Sequence, residues 1–343
     1  MQAVILAAGK STRTYPLTLT RPKPLLKVAN KAILEYNLEA LKAISDEIII
    51  VVGYKKEMIT GFIKKNHNEL NVKFIEQKKQ LGTGHAISIL KAKIKGRFIV
   101  LMGDNIYSKE DIKDIAKHKY SILVNKVKNP ELFGVVKEKN GILTDIIEKP
   151  KEFVSDLASC ALYSFDNGIF DALEKVKKSE RGEYEITDAI KGISLKEKLY
   201  CIKSKYCFQI SFPWDLLAAD KAIRKGKNVI GNNCIINGNV KNSTIGNNCI
   251  INGNVKNSII MDNVTIEKNS VVEDSIIGEN TYFNGKIISE DGVYSIVKDK
   301  KIKVDKLGAI IGDNVKANGV EINPGSKIWS NQKISGQIKN DIQ

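Results

Sequence analysis

A short loop near the N-terminus carries residues that could bind phosphate groups. Leu6–Gly9 ends an apolar run, Arg13 follows it, and Lys23 comes ten residues after Arg13. The small residues Ala8 and Gly9 let the backbone approach a ligand closely, and the N–H groups of such a loop can cradle phosphate oxygens. Arg13 offers phosphate a planar fork, whereas Lys23 offers a compact point charge. This combination predicts a site for a phosphate-bearing small molecule.

The same loop is not a P-loop. Its letters Gly9-Lys10-Ser11-Thr12 match the end of that motif, which also requires a glycine five residues before Gly9. Position 4 is Val4. The phosphate site must therefore be built in another way.

Asp104 is a second residue placed where chemistry is expected. It follows the apolar run Phe98–Leu101, which reads as a buried strand, after Met102 and Gly103. In open α/β sheets, ligands bind beyond the carboxyl ends of the strands. Asp104 is therefore a candidate ligand-binding residue, and a simple capping role is the alternative.

The elements that must position these residues alternate between two patterns. Short β-branched runs predict buried parallel strands, and amphipathic segments lie between them. This alternation favours a doubly wound α/β domain. The predicted strands are Ala3–Leu6, Glu47–Val52, Val72–Ile75 and Phe98–Leu101, and the predicted helices are Ile33–Ile44, Lys56–Lys65, His85–Ile94 and Trp214–Lys225.

The sequence pattern changes near residue 226. From there on, Ile and Val recur about every six residues, separated by Gly, Asn and Asp. A hexapeptide repeat of this kind predicts a parallel β-helix. Ile230–Ser243 recurs letter for letter as Ile245–Ser258, an offset of 15 residues that indicates a tandem duplication. We therefore expect two domains, 1–226 and 227–343.

Composition limits the class of protein. The formal net charge is +15, but the lysines are scattered and form no dense basic block, so we expect no nucleic-acid partner. No stretch is apolar enough for a signal peptide or a membrane span. The odd number of cysteines and the absence of a CxxC pair favour reduced thiols and a cytoplasmic protein. These are Cys160, Cys201, Cys207, Cys234 and Cys249.

The N-terminal motif identifies a family. LAAGKSTRTYPLT, followed by PKPL at Pro22–Leu25, resembles the signature of the nucleoside-diphosphate-sugar pyrophosphorylases, or sugar nucleotidyltransferases. The C-terminal hexapeptide repeats narrow the resemblance to N-acetylglucosamine-1-phosphate uridyltransferases and long glucose-1-phosphate thymidylyltransferases. The resemblance implies an α/β Rossmann-like nucleotidyltransferase domain followed by a left-handed parallel β-helix. Such β-helices commonly form trimers in this family, so a homotrimer is expected.

The resemblance assigns residues to the nucleotide. The segment from Gln77 to Ala86 is similar to the base-reading segment of the uridyltransferases. It implies that Gln77 binds the pyrimidine edge and that Gly82 and Thr83 line the base and ribose. The loop residues Leu6, Ala7, Ala8 and Gly9 are implied to contact the nucleotide. His85, in the same segment, is expected to be structural.

The resemblance also implies catalytic and sugar-binding residues. Asp104 matches the family's metal-binding aspartate, and Mg²⁺ or Mn²⁺ is the expected cofactor, since Mg²⁺ binds one or two carboxylates together with substrate phosphates. Arg13 and Lys23 would act on the triphosphate, and Lys149 on the sugar phosphate. Gly134 and Glu148 would contact sugar hydroxyls. Residues 181–188 match a family segment near the sugar, without individual roles.

Two departures from the family pattern matter. The family often has Asn-Ala-Gly where this chain has Ser159-Cys160-Ala161, which puts the sugar contact of Ser159 in doubt. Gln209 replaces the second metal-binding carboxylate, and its amide oxygen could bind the metal without contributing charge. We expect weaker metal affinity as a result.

The expected function is transfer of a uridylyl group from UTP to a sugar 1-phosphate, with N-acetylglucosamine 1-phosphate as the best guess. Three alternatives remain. They are a thymidylyltransferase that makes dTDP-glucose, a bifunctional enzyme with a sugar-amine acetyltransferase in the β-helix, and a non-enzymatic regulatory subunit. The QLGTGHA letters at Gln80–Ala86 favour UTP. The missing β-helix histidine argues against acetyl transfer, because His67, His85 and His118 all precede residue 226.

Overall fold

The computed structural model describes residues 1–343. The helices are α1 Ile33–Leu41, α2 Lys56–Asn66, α3 Thr83–Ser88, α4 Lys109–Ala116, α5 Gly168–Leu173, α6 Ile186–Ser194 and α7 Asp215–Arg224. The first thirteen strands are β1 Gln2–Ala7, β2 Lys27–Val28, β3 Lys31–Ala32, β4 Glu47–Val52, β5 Val72–Glu76, β6 Phe98–Met102, β7 Asn105–Tyr107, β8 Ser121–Lys126, β9 Gly134–Lys139, β10 Ile142–Glu148, β11 Leu157–Phe165, β12 Tyr200–Lys203 and β13 Cys207–Gln209.

The remaining strands are mostly very short. They are β14 Val229–Ile230, β15 Ile235–Ile236, β16 Asn239–Lys241, β17 Thr244–Ile245, β18 Ile250–Ile251, β19 Asn254–Lys256, β20 Ile259–Ile260, β21 Thr265–Ile266, β22 Val271–Glu273, β23 Ile276–Ile277, β24 Tyr282–Ile287, β25 Glu290–Val297, β26 Lys300–Leu307, β27 Ile310–Ile311, β28 Lys316–Ile322, β29 Lys327–Ile328 and β30 Lys333–Ile338.

The chain forms two compact units. The first contains Met1–Gly9 and Leu34–Gln209, and the second contains Lys10–Ile33 and Ile210–Gln343. The segment 10–33 therefore groups with the C-terminal part of the chain, although it lies early in the sequence. The boundary at residue 226 remains a prediction about the two sequence modules.

The first unit is an α/β unit around a nine-stranded sheet. The strand order is β5-β4-β1-β6-β11-β8-β12-β10-β9. The four strands that the sequence predicts are adjacent and parallel, and each lies within two residues of its predicted bounds. The central residues of β1, β4 and β6 are fully buried, which is why these strands read as unbroken apolar runs. β5 lies at the edge of the sheet and its residues are half-buried or exposed, so the prediction that Val72–Ile75 is a buried strand is wrong.

One predicted helix is shorter than expected. The pattern predicts a helix over 85–94, but α3 ends at Ser88 and the chain continues in hydrogen-bonded turns to Ile94. Ile87, Leu90 and Ile94 are all buried in the core of this unit. The three-to-four-residue spacing of apolar side chains shows that one face of this segment is buried. It does not distinguish a helix from a series of turns, because both can bury side chains at that spacing.

The second unit contains a left-handed parallel β-helix; the repeat pattern predicts the β-helix, and the family resemblance implies its hand. Its coils repeat by parallel pairing, with Val229 opposite Thr244 and Thr244 opposite Ile259. The first two coils take 15 residues each and the third takes 17, and the duplicated segment is one extra coil. Inward-facing residues such as Ile245, Ile260 and Ile277 are fully buried and stack into one core. Cys249 is buried with them, and Cys234 packs against them.

A column of asparagines marks one corner of the coils. Each has a positive φ, between 56° and 68°, and each side-chain amide except that of the last, Asn331, donates to the side chain of the next coil's asparagine at 2.9–3.2 Å. Asparagine tolerates this left-handed conformation better than most residues. The column is Asn233, Asn248, Asn263, Asn280, Asn314 and Asn331.

One interruption breaks the repeat. The antiparallel hairpin of β25 and β26 is inserted between the coil that holds β24 and the coil that begins at β27. No helix in either unit is long and apolar enough to cross a membrane.

Candidate active site

The carboxyl ends of four parallel strands meet at one edge of the sheet in the first unit. The register pairs Ala7 with Val52, Leu6 with Met102, and Val52 with Glu76. Ala8, Gln77 and Asp104 follow these strand ends directly or within two residues. The structure therefore brings the predicted nucleotide-binding loop, the predicted base-reading residue and the predicted metal ligand to the same edge.

The loop backbone at this edge is held by hydrogen bonds. The carbonyl of Ala8 accepts from the Tyr54 amide at 3.0 Å and from the Gln80 side chain at 2.7 Å. A Cβ at Gly53 would lie 2.8 Å from the same carbonyl, so only glycine fits there. Leu6 and Ala7 are buried and can form only the wall of a site, while Gly9 is exposed.

Gln77 is held in place by its neighbours. Its side-chain nitrogen lies 3.2 Å from the Gly82 carbonyl and 3.0 Å from Nδ1 of His85. Burial lowers the pKa of His85, which keeps the ring neutral and lets Nδ1 accept a hydrogen bond. Since the amide nitrogen is engaged, the amide oxygen is the atom that Gln77 can offer to a ligand. His85 thus orients Gln77, a structural role consistent with the sequence-based expectation.

The glycine at position 82 is required by its surroundings. Gly82 has a φ of +99°, and a Cβ there would lie 2.7 Å from the Tyr184 carbonyl. Thr83 follows as the first residue of α3. The backbone of Gly84 donates to the Tyr184 carbonyl at 2.8 Å, so residues 82–84 are bound to the segment that the sequence places near the sugar.

Asp104 and Gln209 come together through strand pairing. β13 pairs with β7 so that Gln209 lies opposite Asn105, next to Asp104. The Gln209 side-chain nitrogen donates to the Ser159 carbonyl at 2.9 Å, which leaves the amide oxygen for another partner. One carboxylate and one amide oxygen suit Mg²⁺, provided that substrate phosphates complete the coordination. The donor set therefore fits a metal bound together with nucleotide, and no cluster of three acidic, histidine or cysteine side chains offers a metal site without substrate.

Ser159 is engaged within the protein. Its hydroxyl lies 3.1 Å from the Tyr163 hydroxyl and accepts from the Ala161 amide at 3.0 Å, and the residue is only 6% exposed. These contacts leave its side chain little capacity for a sugar. Its carbonyl, by contrast, fixes Gln209.

A second group of predicted residues lines a cavity of about 520 Å³. Glu148 ends β10 opposite Gly134, and a Cβ at Gly134 would lie 3.1 Å from the Glu148 carboxylate. Lys149 and Arg181 approach the Glu148 carboxylate at 3.6 and 3.4 Å. Burial raises the pKa of Glu148 and repulsion from Glu185 adds to it, while both cations oppose the shift. The pocket thus combines a carboxylate with two cations, which suits a sugar phosphate.

A larger cavity, of about 660 Å³, lies between α5 and α6. Asp188, which also lines the 520 Å³ cavity, is the only residue of the predicted segments that lines it. We therefore assign it no part in the reaction.

The cationic residues Arg13 and Lys23 belong to the second unit. The guanidinium of Arg13 lies over the Phe212 ring, 5.8 Å from its centre. Lys23 is buried and donates to the Ile210 carbonyl at 2.5 Å. Asp215 accepts from the amides of Ser211 and Phe212 at 2.7 Å, and burial raises its pKa while Lys23 and Arg13 oppose the shift. Residues 210–215 thus contact the side chains of both Arg13 and Lys23.

Sequence reasoning missed two of these residues. Asp215 lies in the segment Pro213–Leu217, where nothing in the sequence marks it as a partner of the cations. Arg181 lies in a segment that was given no individual roles, yet its guanidinium joins Glu148 and Glu185. An arginine near an Asp/Glu-rich segment is a weak signal, because exposed pairs are common.

Family models match both sequence modules. Residues 2–214 match the nucleotidyl transferase family, and residues 225–323 match the GlmU-like C-terminal hexapeptide. The chain is 38% identical over 398 positions to the bifunctional protein GlmU of Methanococcus maripaludis strain C7, an alignment that covers all of this chain and 96% of the relative.

Other relatives agree. The chain is 32% identical over 391 positions to a bifunctional sugar-1-phosphate nucleotidylyltransferase/acetyltransferase of Sulfurisphaera tokodaii, which covers 97% of the chain and 96% of the relative. It is 36% identical over 200 positions to the UTP--glucose-1-phosphate uridylyltransferase AglF of Haloferax volcanii, which covers 55% of the chain and 82% of the relative.

A solved structure has the same fold as the larger part of the chain. A chain assigned as a glucose-1-phosphate thymidylyltransferase of Bacillus anthracis, in complex with sucrose, matches with a TM-score of 0.59 and 27% identity. The match covers 66% of this chain and 96% of the other. The site geometry, the family models and the full-length relatives agree: the chain belongs to the sugar-1-phosphate nucleotidyltransferase family and carries a GlmU-like hexapeptide domain.

Proposed function

We propose that the protein transfers a uridylyl group from UTP to a sugar 1-phosphate, releasing pyrophosphate and forming a UDP-sugar. N-acetylglucosamine 1-phosphate is the proposed acceptor. The observation that carries the proposal is the edge of the sheet in the first unit, where Ala8, Gln77, Asp104 and Gln209 meet. This edge offers backbone, a fixed amide and a metal-binding carboxylate to a nucleotide.

The proposed chemistry needs no general base. The attacking group is an oxygen of the sugar phosphate, whose second pKa is about 6, so it is already largely ionised at neutral pH. Catalysis then consists of positioning the two phosphates in line and neutralising charge at the α-phosphate. The absence of a nucleophile paired with histidine at this edge is consistent with that mechanism.

Each residue has a proposed role in this mechanism. Asp104, with the amide oxygen of Gln209, would hold Mg²⁺ or Mn²⁺, which neutralises negative charge on the triphosphate when bound. Arg13 and Lys23 would bind the triphosphate and stabilise the leaving pyrophosphate. Lys149 would orient the attacking phosphate, and Glu148 would accept from sugar hydroxyls, with Gly134 leaving room for the ring.

Gln77 is proposed to read the base. Gly82 and His85 hold the side-chain nitrogen of Gln77, so its amide oxygen would accept a hydrogen bond from the N3–H group of a pyrimidine. Uracil and thymine share that group, so Gln77 does not distinguish UTP from dTTP. Discrimination between UTP and dTTP must therefore depend on the pocket around the base C5 position, where thymine carries a methyl group. A direct assay with both nucleotides tests the thymidylyltransferase alternative.

A second candidate function is acetyl transfer in the β-helix, and the names of the full-length relatives favour considering it. Two observations oppose it. Residues 227–343 contain no histidine to act as a general base. The alignment with the Methanococcus relative spans 398 positions against 343 residues here, so at least 55 positions of that relative have no counterpart in this chain.

The experiment that tests the proposed function is a two-way substrate panel. Purified protein with Mg²⁺ is incubated with UTP or dTTP and each of several sugar 1-phosphates, and pyrophosphate release is measured. We expect the highest kcat/KM with UTP and N-acetylglucosamine 1-phosphate. A preference for dTTP and glucose 1-phosphate would support the thymidylyltransferase instead. Activity with no pair would support the regulatory-subunit alternative.

The assembly and location are also proposals. The hexapeptide domain suggests an oligomer, and we propose a homotrimer formed through the β-helix. All five cysteines are free thiols in the structure, which is consistent with the proposed cytoplasmic location.

A further inference from the structure

One position of the β-helix coil changes its chemistry along the stack. It is the residue that precedes the asparagine column in each coil, and parallel pairing places its members one above another. In the two duplicated coils it is asparagine, in the next three it is acidic, and in the last it is serine. Its members are Asn232, Asn247, Asp262, Glu279, Asp313 and Ser330. We call Asp262, Glu279 and Asp313 the acidic column.

Every member of the acidic column binds the segment 10–33 of the same unit. Lys27 pairs with Asp262 at 2.5 Å. Arg21 pairs with Glu279 and, at 2.6 Å, with Asp313. The hydroxyl of Thr20 also donates to Asp313, at 2.5 Å.

The contact of Arg21 with Asp313 is shielded from water, while the pair of Lys27 and Asp262 is partly exposed. Arg21 is 9% exposed and Asp313 is 3% exposed. Burial by itself would lower the pKa of the Arg21 guanidinium. The hydrogen bonds and charges of Glu279 and Asp313 outweigh that effect, so the pKa is raised. The pair of Arg21 and Asp313 is therefore not the solvent-exposed kind that contributes little.

The segment held by the acidic column also carries the two cations of the proposed mechanism. Arg21 lies two residues before Lys23 in the chain. Further along, the Ala29 amide donates to Asp220 at 2.9 Å, and the Asn30 side chain donates to the Ile245 carbonyl at 2.6 Å. The acidic column thus holds the chain on both sides of Lys23, and α7 and the second coil hold it further along, at residues 29 and 30.

We infer that the acidic column is a positioning element for nucleotidyl transfer, which sets the place of Lys23 and Arg13 through Arg21. This inference rests on the proposed function of those two cations. A buried ion pair adds little stability compared with apolar packing, and the role inferred for the pairs of Arg21 is to fix the geometry of the segment. A displacement of about 1 Å at a reacting group can cost on the order of 100-fold in rate. The β-helix therefore serves the nucleotidyl transfer reaction directly, although every cation and carboxylate of that reaction lies before residue 226.

The test compares Asp313→Asn combined with Glu279→Gln against a matched control. Asn232→Ser changes the same coil position in the first coil, where no contact with segment 10–33 is made. For the double variant we expect kcat/KM for UTP to fall on the order of 10- to 100-fold, with KM for the sugar 1-phosphate unchanged. We expect the control to match wild type. Arg21→Lys should be intermediate, since an ammonium cannot bind two carboxylates as a fork does.

A double-mutant cycle separates positioning from general destabilisation. If the acidic column acts through Lys23, then Lys23→Ala should cost less in the Asp313→Asn, Glu279→Gln background than in wild type. Full additivity of the two effects, or a loss of activity explained wholly by a smaller folded fraction, would overturn the inference.

Hydrogen exchange provides a readout that does not depend on turnover. Amides in residues 10–33 should exchange faster in the double variant, while amides of β1, β4 and β6 should not change. Unchanged exchange in residues 10–33 would overturn the inference. If the wild-type protein transfers no nucleotide to any acceptor, the proposed function fails, yet the exchange result still decides whether the acidic column holds the segment.

Discussion

At the scale of single residues, the proposed mechanism depends most on Asp104. It lies at the sheet edge where the loop and Gln77 meet, and Gln209 adds only a neutral oxygen beside it, while the nearby Glu76 carboxylate is paired with Lys56. A metal held by one carboxylate should bind weakly until the nucleotide phosphates complete its coordination. We therefore expect metal affinity to rise when UTP is present.

Replacing Asp104 tests this assignment. Asp104→Asn keeps the size of the side chain but removes its charge, so turnover should fall on the order of 100-fold, or about 3 kcal/mol, a typical loss for an electrostatic contact to the transition state. Pyrophosphate release at saturating UTP and Mg²⁺ measures it. Asp114→Asn, on α4 where the half-buried carboxylate pairs with Lys117, is the control and should retain activity. Wild-type turnover in Asp104→Asn would rule out the metal assignment.

Glu148 allows a prediction that separates stability from binding. Its folded-state pKa is raised above the ordinary value of 4.5, so the folded protein binds this proton more tightly than the unfolded chain does. The free energy of unfolding must therefore fall as the pH rises from near 4.5 through the raised value. Above that window the ionised carboxylate lowers stability.

Glu148→Gln removes that ionisation. The Tm of the variant minus the Tm of wild type should increase as the pH is raised from about 4 to about 8. The KM of the variant for the sugar 1-phosphate should be higher than that of wild type. Thermal unfolding at the two pH values and one kinetic series measure both effects. A Tm difference that moves in the opposite direction would show that Lys149 and Arg181 outweigh the burial of the carboxylate.

At the scale of elements, the duplicated coil is the feature most open to test. Deleting residues 230–244 removes 15 residues, one coil, and joins Val229 to Ile245. The acidic column, which lies in later coils, is untouched. We therefore expect the variant to fold, to keep its oligomeric state and to retain transfer activity, because each coil contacts only its neighbours.

The structure predicts a loss of stability in this deletion variant and suggests a second deletion that avoids the loss. Thr244 donates to Asp220 at 2.6 Å, and Val229 would take its place in that deletion. Leaving this buried acceptor short of one partner should cost about 1–3 kcal/mol. Deleting residues 229–243 instead retains Thr244, so this variant should unfold at a higher temperature. A folded variant without transfer activity would show that the extra coil is needed for function.

Sequence patterns predicted the secondary-structure elements better than the contacts between distant parts of the chain. The buried strands and the coil repeat were predictable because periodic burial leaves a direct trace in the order of apolar residues. The end of α3 was not, because turns can bury Leu90 and Ile94 as a helix would. The contacts of Arg21 with Glu279 and Asp313 join residues more than 250 positions apart, and no local pattern reports such pairs.

The candidate site divides in the same way. Motif letters located Gln77, Asp104 and Glu148, and the structure shows what surrounds each of them. Motif letters did not show that His85 holds Gln77, nor that Ser159 is occupied by Tyr163 and Ala161. Those facts depend on side-chain packing between distant segments.

At the scale of the whole molecule, the β-helix is predicted to serve nucleotidyl transfer and not a second reaction. A general base is worth ~10²–10⁴-fold in rate, and the β-helix has no histidine to supply one. We expect no acetyl-CoA-dependent acetylation of glucosamine 1-phosphate, measured by release of free CoA thiol. Robust turnover with acetyl-CoA would contradict this and would place a different base in the coils.

The measurement that tests the central claim most directly follows both products in one reaction. UTP, N-acetylglucosamine 1-phosphate, Mg²⁺ and purified protein are mixed, and phosphorus NMR records pyrophosphate and the UDP-sugar together. We predict equal amounts of the two products, with none formed when UTP, the sugar phosphate or Mg²⁺ is omitted. Pyrophosphate formed without the sugar phosphate, or no product with any sugar 1-phosphate and either pyrimidine triphosphate, would contradict the proposed function.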